Sequence, residues 1–341
     1  MKTYTNIILL VFVSMTFLSC DTEETQIESF ETMNTNEVTA KALSVDAKRV
    51  LNEAPFAERA SHTTLVFDHK MWVIAGTSYD LPLSDVWSSK DGENWIAITK
   101  DGGFGERYGH ASTTTSDGMY ITGGTKGSTF LNDVWYSKNG KEWTQTAKNA
   151  PFPARRWHTL TNLHGRMFLI GGLSGDIVSA KGDVWVSNDG ANWDQVTNLA
   201  PFGKRYGHAS VLYDDKIWII GGYDGSGNYL NDVWYSKNGF QWVLVTPNTD
   251  FPVRRNHTVV TNKEGMWLTG GIDAGHKYYD DIWFSNDGMN WEKVTVEYKT
   301  FAPRGYHSSA YFDDQLWVIN GFRQGIGAPS DFYSDVWSFQ E

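Results

Sequence analysis

Apolar and polar residues alternate along most of this chain in short runs, and the runs recur. Between residues 110 and 146 they read HASTTT (110–115), MYIT (119–122), DVWYS (133–137) and WTQT (143–146). Each run is rich in β-branched and aromatic residues and bounded by Gly, Asp, Asn or Ser, which predicts a strand. Between the third and fourth run stands Asp-Gly or Asn-Gly, at Asp91-Gly92, Asn139-Gly140, Asp189-Gly190, Asn238-Gly239 and Asp287-Gly288. Such pairs accept positive φ and predict a tight hairpin turn. No long segment carries a helical period with caps at both ends.

The four-strand unit repeats. The phrase R-x-x-H occurs at Arg59/His62, Arg107/His110, Arg155/His158, Arg205/His208, Arg254/His257 and Arg304/His307, with His-to-His steps of 48, 48, 50, 49 and 50. Other positions recur in step with it. An aromatic, two residues and a Gly-Gly doublet follow at Tyr120/Gly123-Gly124, Phe168/Gly171-Gly172, Trp218/Gly221-Gly222 and Trp267/Gly270-Gly271. The end repeats vary, with Ala75-Gly76 and Asn320-Gly321 in that place. Then comes Asp-Val/Ile-Trp at 85–87, 133–135, 183–185, 232–234, 281–283 and 335–337, and a late Trp at 95, 143, 193, 242 and 291. Four antiparallel strands at a period near fifty residues mark a propeller blade.

Over residues 45–341 the pattern resembles the kelch repeat, which implies an all-β, six-bladed propeller with four antiparallel strands per blade. The sixth repeat stops at Glu341, just after its D-V-W strand. The segment Val45–Arg59 aligns with Trp193–Arg205, placing Ala47 at the late-Trp position. Val45–Leu51 is therefore expected to supply the missing outer strand of the last blade, a 3+1 closure that leaves no edge unpaired there.

Composition adds three points. Fifteen of the 16 Trp residues fall on repeat positions, so they read as packing between blades, and Trp157 alone lies outside the repeat. The formal net charge is −11, but nine acids crowd into residues 21–58 and the propeller is only mildly acidic. A nucleic-acid partner held by a basic surface is not expected. The single cysteine, Cys20, excludes an intrachain disulfide.

Residues 1–19 read as an export signal, with Lys2 ahead of the apolar run Ile7–Leu18. The FLSC that ends at Cys20 resembles a bacterial lipobox, although Phe17 stands where Leu is usual. That resemblance implies a lipidated, palmitate-bearing Cys20 as membrane anchor, followed by an acidic flexible tether over residues 20–44. The DTEE after Cys20 resembles the export signal of some Gram-negative surface lipoproteins. The placement this implies is the outer membrane, facing the cell surface, with a periplasm-facing anchor as the alternative.

Six equivalent Arg and His pairs favour a structural role, because an active site needs groups in different environments. No two of these His lie at metal-ligand spacing, and no metal or cofactor is expected. The S-x-[D/N]-G-x-x-W hairpin is one residue shorter than the sialidase Asp-box it resembles. Galactose oxidase shares the kelch fold, but its copper site needs a Tyr–Cys cross-link for which Cys20 is misplaced.

Chemistry is therefore sought where the repeats differ. The residues inside R-x-x-H are Ala60-Ser61, Tyr108-Gly109, Arg156-Trp157, Tyr206-Gly207, Arg255-Asn256 and Gly305-Tyr306. They are expected to converge on one mouth of the channel, with Trp157 and Tyr306 on opposite sides. Loops reaching that face add Tyr79, Asp80, Asp176, Tyr223, Asp224, residues 276–279, Arg323 and Phe332. Aromatic planes beside Arg forks suit a sugar bearing carboxylate or sulfate. The leading expectation is a glycan-binding protein using Tyr108, Arg156, Trp157, Tyr206, Arg255, Asn256, Tyr306 and Arg323. Two alternatives stand. One is a sugar mutarotase, epimerase or polysaccharide lyase, using His158, Tyr206, Arg156 and Arg255; the other is a protein-interaction platform.

Overall fold

A computed structural model describes residues 43–79, 81–175, 179–325 and 329–341. The expected leader, Cys20 and the tether up to residue 42 lie outside them, as do Asp80 and Asp176. Among the described residues there are strands and no helix.

Blade two shows the unit: Ala111–Thr114, Met119–Lys126, Thr129–Ser137 and Thr144–Ala147, paired antiparallel in sequence order. Six such sheets have their first strands as neighbours in a closed ring, so those strands line the axis. In the sixth blade, Ser308–Phe312, Gln315–Arg323 and Asp331–Gln340 are completed by Ser44–Leu51. Asp46 lies opposite Gln340 and Leu51 opposite Val336 in an antiparallel ladder. The 3+1 closure expected from the sequence is thus observed. The strand does more than that. Its first three residues also pair in parallel with Thr295–Glu297, which runs on from the outer edge of blade five. One segment therefore ties two blades.

The repeated Arg and Asp form one device. Arg155 is fully buried, and its guanidinium donates in parallel to both carboxylate oxygens of Asp183 at 2.7 Å. It also donates to the Gly171 carbonyl, the first glycine of the doublet. The Trp185 indole donates to the same carboxylate. Arg59–Asp85, Arg107–Asp133, Arg205–Asp232, Arg254–Asp281 and Arg304–Asp335 repeat it. The structural role expected for the repeated Arg thus rests on the Asp of D-V-W, a partner the sequence signals only through the spacing between the two motifs.

A buried guanidinium stripped of its carboxylate costs about 3–5 kcal/mol, whereas removing both charges costs far less. Asp183→Ala is therefore expected to lower stability by about 3–5 kcal/mol in urea unfolding, and Arg155→Leu combined with Asp183→Leu to recover most of the loss. A double variant no better than the single one would contradict this. The exposed Lys48–Glu93 pair should give a change near zero.

The doublet joins neighbouring blades. The second glycine's N–H donates to the invariant Arg carbonyl of the next blade all the way round, from Gly76 to Arg107 through to Gly321 to Arg59. A Cβ on Gly172 would come within 2.6 Å of the His158 Cβ, which requires glycine here. The aromatic ahead of the doublet packs on the Asp-Gly or Asn-Gly turn of the next blade, as Trp72 does on Gly140 and Trp218 on Gly288. Trp267 instead shares a buried cluster with Val45 of the closing strand.

The six His are buried between blades. His110 Nε2 is hydrogen-bonded to the Thr63 hydroxyl, His158 to Thr122 and His208 to Thr159. Burial, then the nearby Arg charge, lowers the pKa of His110, His257 and His307 to about 3, and the other three also fall well below the usual value. All six are neutral at physiological pH.

Candidate functional site at the channel mouth

The residue before each invariant His lies in the left-handed region: Ser61, Gly109, Trp157, Gly207, Asn256 and Tyr306 have φ between 52° and 63°. Their amides close a second ring of hydrogen bonds. Ser61 N–H donates to Tyr306, Gly109 to Ser61, Trp157 to Gly109, Gly207 to Trp157, Asn256 to Gly207 and Tyr306 to Asn256, at 2.7–3.0 Å. This belt narrows the axis to a cavity of about 120 Å³ lined by the same six residues and the six His.

Glycine suits that conformation, and two blades use it. A bulky aromatic there is strained by roughly 1–3 kcal/mol. Trp157 and Tyr306 carry that strain. Gly109 makes room for one of them: a Cβ on it would lie 3.0 Å from Trp157 Cδ1.

The expectation that Trp157 and Tyr306 stand on opposite sides of the mouth needs correction. Their ring centroids are 6.0 Å apart. Both spring from the narrowest part of the ring, so side chains from opposed blades meet over the axis. The Trp157 indole is also partly covered, and it is half-buried. Arg156 covers one ring at 3.9 Å, and Tyr206 stacks on the indole at 5.7 Å and 19°.

Instead, eight rings form an arc over the mouth. Tyr79 contacts Phe332, then follow Phe322, Tyr306, Trp157, Tyr206, Tyr223 and Tyr229, each centroid 4.8–6.1 Å from the next. At one end Tyr79 is 60% exposed. Between it and Arg156 opens a cavity of about 450 Å³, the size of one or two sugar rings. Its walls include Tyr79, Phe332, Tyr306, Trp157, Arg156 and Thr77. Ala60 also lines it, and the equivalent position in blade six is Gly305; two small residues where other blades carry Tyr or Arg leave this sector open. Arg156 is the one charged group on the described wall. Its Nε and the Thr77 hydroxyl are buried without partners among the described residues.

The remaining sequence candidates divide. Tyr108, Arg156, Trp157 and Tyr306 share this cavity. Tyr206 and Arg255 lie beyond the Trp157 stack, and Asn256 lines the axial cavity. Arg323 is exposed and lines a separate cavity of about 330 Å³ with His276, Lys277 and Asp331, so it does not join the others. Asp224 is spent on its own loop, accepting from Ser226 and Asn228. Thr77, Phe322, Phe130 and Tyr229 were missed, because they sit on strands as ordinary repeat residues.

The groups named for acid–base work are poorly set for it. His158 is neutral and tied to Thr122. Burial raises the Tyr206 pKa, and Arg255 only partly offsets this.

The sequence profile of the KLHDC2/KLHL20/DRC7 Kelch-repeats domain matches residues 20–172 and 157–340. The chain belongs to the kelch-repeat family, whose propellers commonly mediate binding to partners. Among curated proteins none matches it.

Proposed function

We propose that this kelch propeller is a glycan-binding protein that takes an acidic sugar in the cavity between Tyr79 and Arg156. The observation that carries the reading is the composition of that wall. Exposed and half-buried aromatic rings surround one guanidinium that, among the described residues, has no carboxylate partner, beside a Thr77 hydroxyl that likewise has no partner there. Tyr79 offers a free ring face for the apolar side of a sugar, and Arg156 offers donors to carboxylate or sulfate. The strain accepted at Trp157 and Tyr306 favours a binding role over a packing one.

Affinity electrophoresis of the full chain, in gels cast with neutral, uronic or sulfated polysaccharides, tests this. Retardation by an acidic polymer is expected, reduced at least about tenfold in affinity by Arg156→Gln or Tyr79→Ala, the loss of one charged hydrogen bond or one stacking face. Trp157→Gly is the informative third variant. It relaxes the backbone, so lost binding with an unchanged fold would come from the missing side chain. No retardation of the unaltered chain by any polymer would remove the glycan reading and leave the sugar-enzyme and protein-platform readings.

A further inference from the structure

The position after the invariant Arg reads Ala60, Tyr108, Arg156, Tyr206, Arg255, Gly305 around the ring. Two neighbouring pairs of blades thus carry the same couple. Arg156 Nη1 donates to the Tyr108 hydroxyl at 3.3 Å, and Arg255 Nη1 to the Tyr206 hydroxyl at 3.2 Å. Each guanidinium also lies over aromatic rings: Arg156 over Tyr108, Phe130 and Trp157, and Arg255 over Tyr206, Tyr223 and Tyr229. Both are half-buried, and both have a buried Nε without a partner. The six invariant Arg all have an Asp; among the described residues neither Arg156 nor Arg255 has an ion-pair partner. Rings hold a cation in place but do not neutralise it. A partly desolvated guanidinium without a counter-ion is most stable when a ligand supplies the anion.

We infer that Arg255 forms a second, auxiliary anion subsite beside the one at Arg156, so the mouth recognises a chain-like glycan bearing at least two carboxylate or sulfate groups. The inference rests on the proposed glycan reading and deepens it. Arg156 lies over Trp157 and Arg255 over Tyr206, the neighbouring ring of the stack, so the two guanidinium groups are held on different rings. Two linked acidic residues engage them together, the second at high effective concentration.

Isothermal titration of the full chain with oligogalacturonates of one to four residues, a matched series of sulfated oligosaccharides and a neutral tetrasaccharide tests the inference. The expected result is an acidic tetramer at least about tenfold tighter than its monomer, and no binding of the neutral chain. The series that shows the length dependence identifies the anion. Arg255→Gln should bring the tetramer close to the monomer's affinity while leaving the monomer within about twofold; Arg156→Gln should weaken both. Arg255→Lys, which keeps the charge without the fork, should retain part of the gain and controls for disturbance of the tyrosine cage. A tetramer advantage untouched in Arg255→Gln, or no advantage in the unaltered chain, overturns the second subsite and spares the first. Absence of any acidic ligand binding overturns the proposed function and this inference with it.

Discussion

Stability of the propeller is expected to fall steeply between pH 6.5 and 4. Six imidazoles are buried and neutral, three of them with pKa lowered to about 3 by burial and the adjacent Arg. Unfolding restores an ordinary value near 6.5, so across this window the unfolded chain binds more protons than the folded one. The contribution is intact above neutral pH and is lost as pH falls. At pH 5 each of the three costs about 2 kcal/mol, together about 6, against a typical domain stability of about 5–15. His62, His158 and His208 act in the same direction. Carboxylates such as Asp91, held at about 2 by contacts with Asn94 and Ser89 that outweigh its burial, act only at lower pH. Urea unfolding followed by Trp fluorescence at successive pH values measures the slope. His110→Gln, which cannot titrate, should make it shallower whatever its own stability. A flat stability from pH 7 to 4 would show that the imidazoles titrate freely in the fold.

Removal of residues 1–51 should be the most damaging truncation. The strand Ser44–Leu51 covers the edge of blade six and clasps Thr295–Glu297 of blade five. Val45 is buried against Trp267, Val294 and Trp337. Losing that side chain costs about 1.5–3 kcal/mol, and each unmade ladder bond about 1. The sum is roughly 5 kcal/mol or more, or a melting temperature lower by at least about 10 °C. The two bared edges should also promote association. Removing residues 1–42 should leave the melting temperature unchanged, since the closing strand survives. Equal melting temperatures for both truncations would disprove the clasp.

Much of this was legible in the chain itself. Strand order, hairpin turns, blade number and the closing strand all follow from local chemistry repeated in register, whereas the second and third strands of blade two, Met119–Lys126 and Thr129–Ser137, run well beyond the runs 119–122 and 133–137 read from the sequence. Asn-Gly marks a turn wherever it sits, and a missing fourth strand is visible as a missing phrase. The six Arg and His were also readable as structural, because equivalent copies occupy equivalent surroundings. The mouth was legible only as a set of residues. Tyr108, Arg156, Trp157 and Tyr306 stood out as departures from the repeat, and they do share a cavity. Their geometry was not. Trp157 and Tyr306 meet over the axis, Tyr206 and Arg156 cover the indole, and Tyr79 becomes the free ring. Arg323, equally conspicuous in sequence, faces elsewhere. A repeat specifies each blade by contacts within about fifty residues and with its neighbours. The mouth is made by side chains from different blades, converging across the ring. Which face of a ring is covered, and which Arg lacks a carboxylate, depends on distances between residues far apart in sequence. Those distances exist only once the ring has closed.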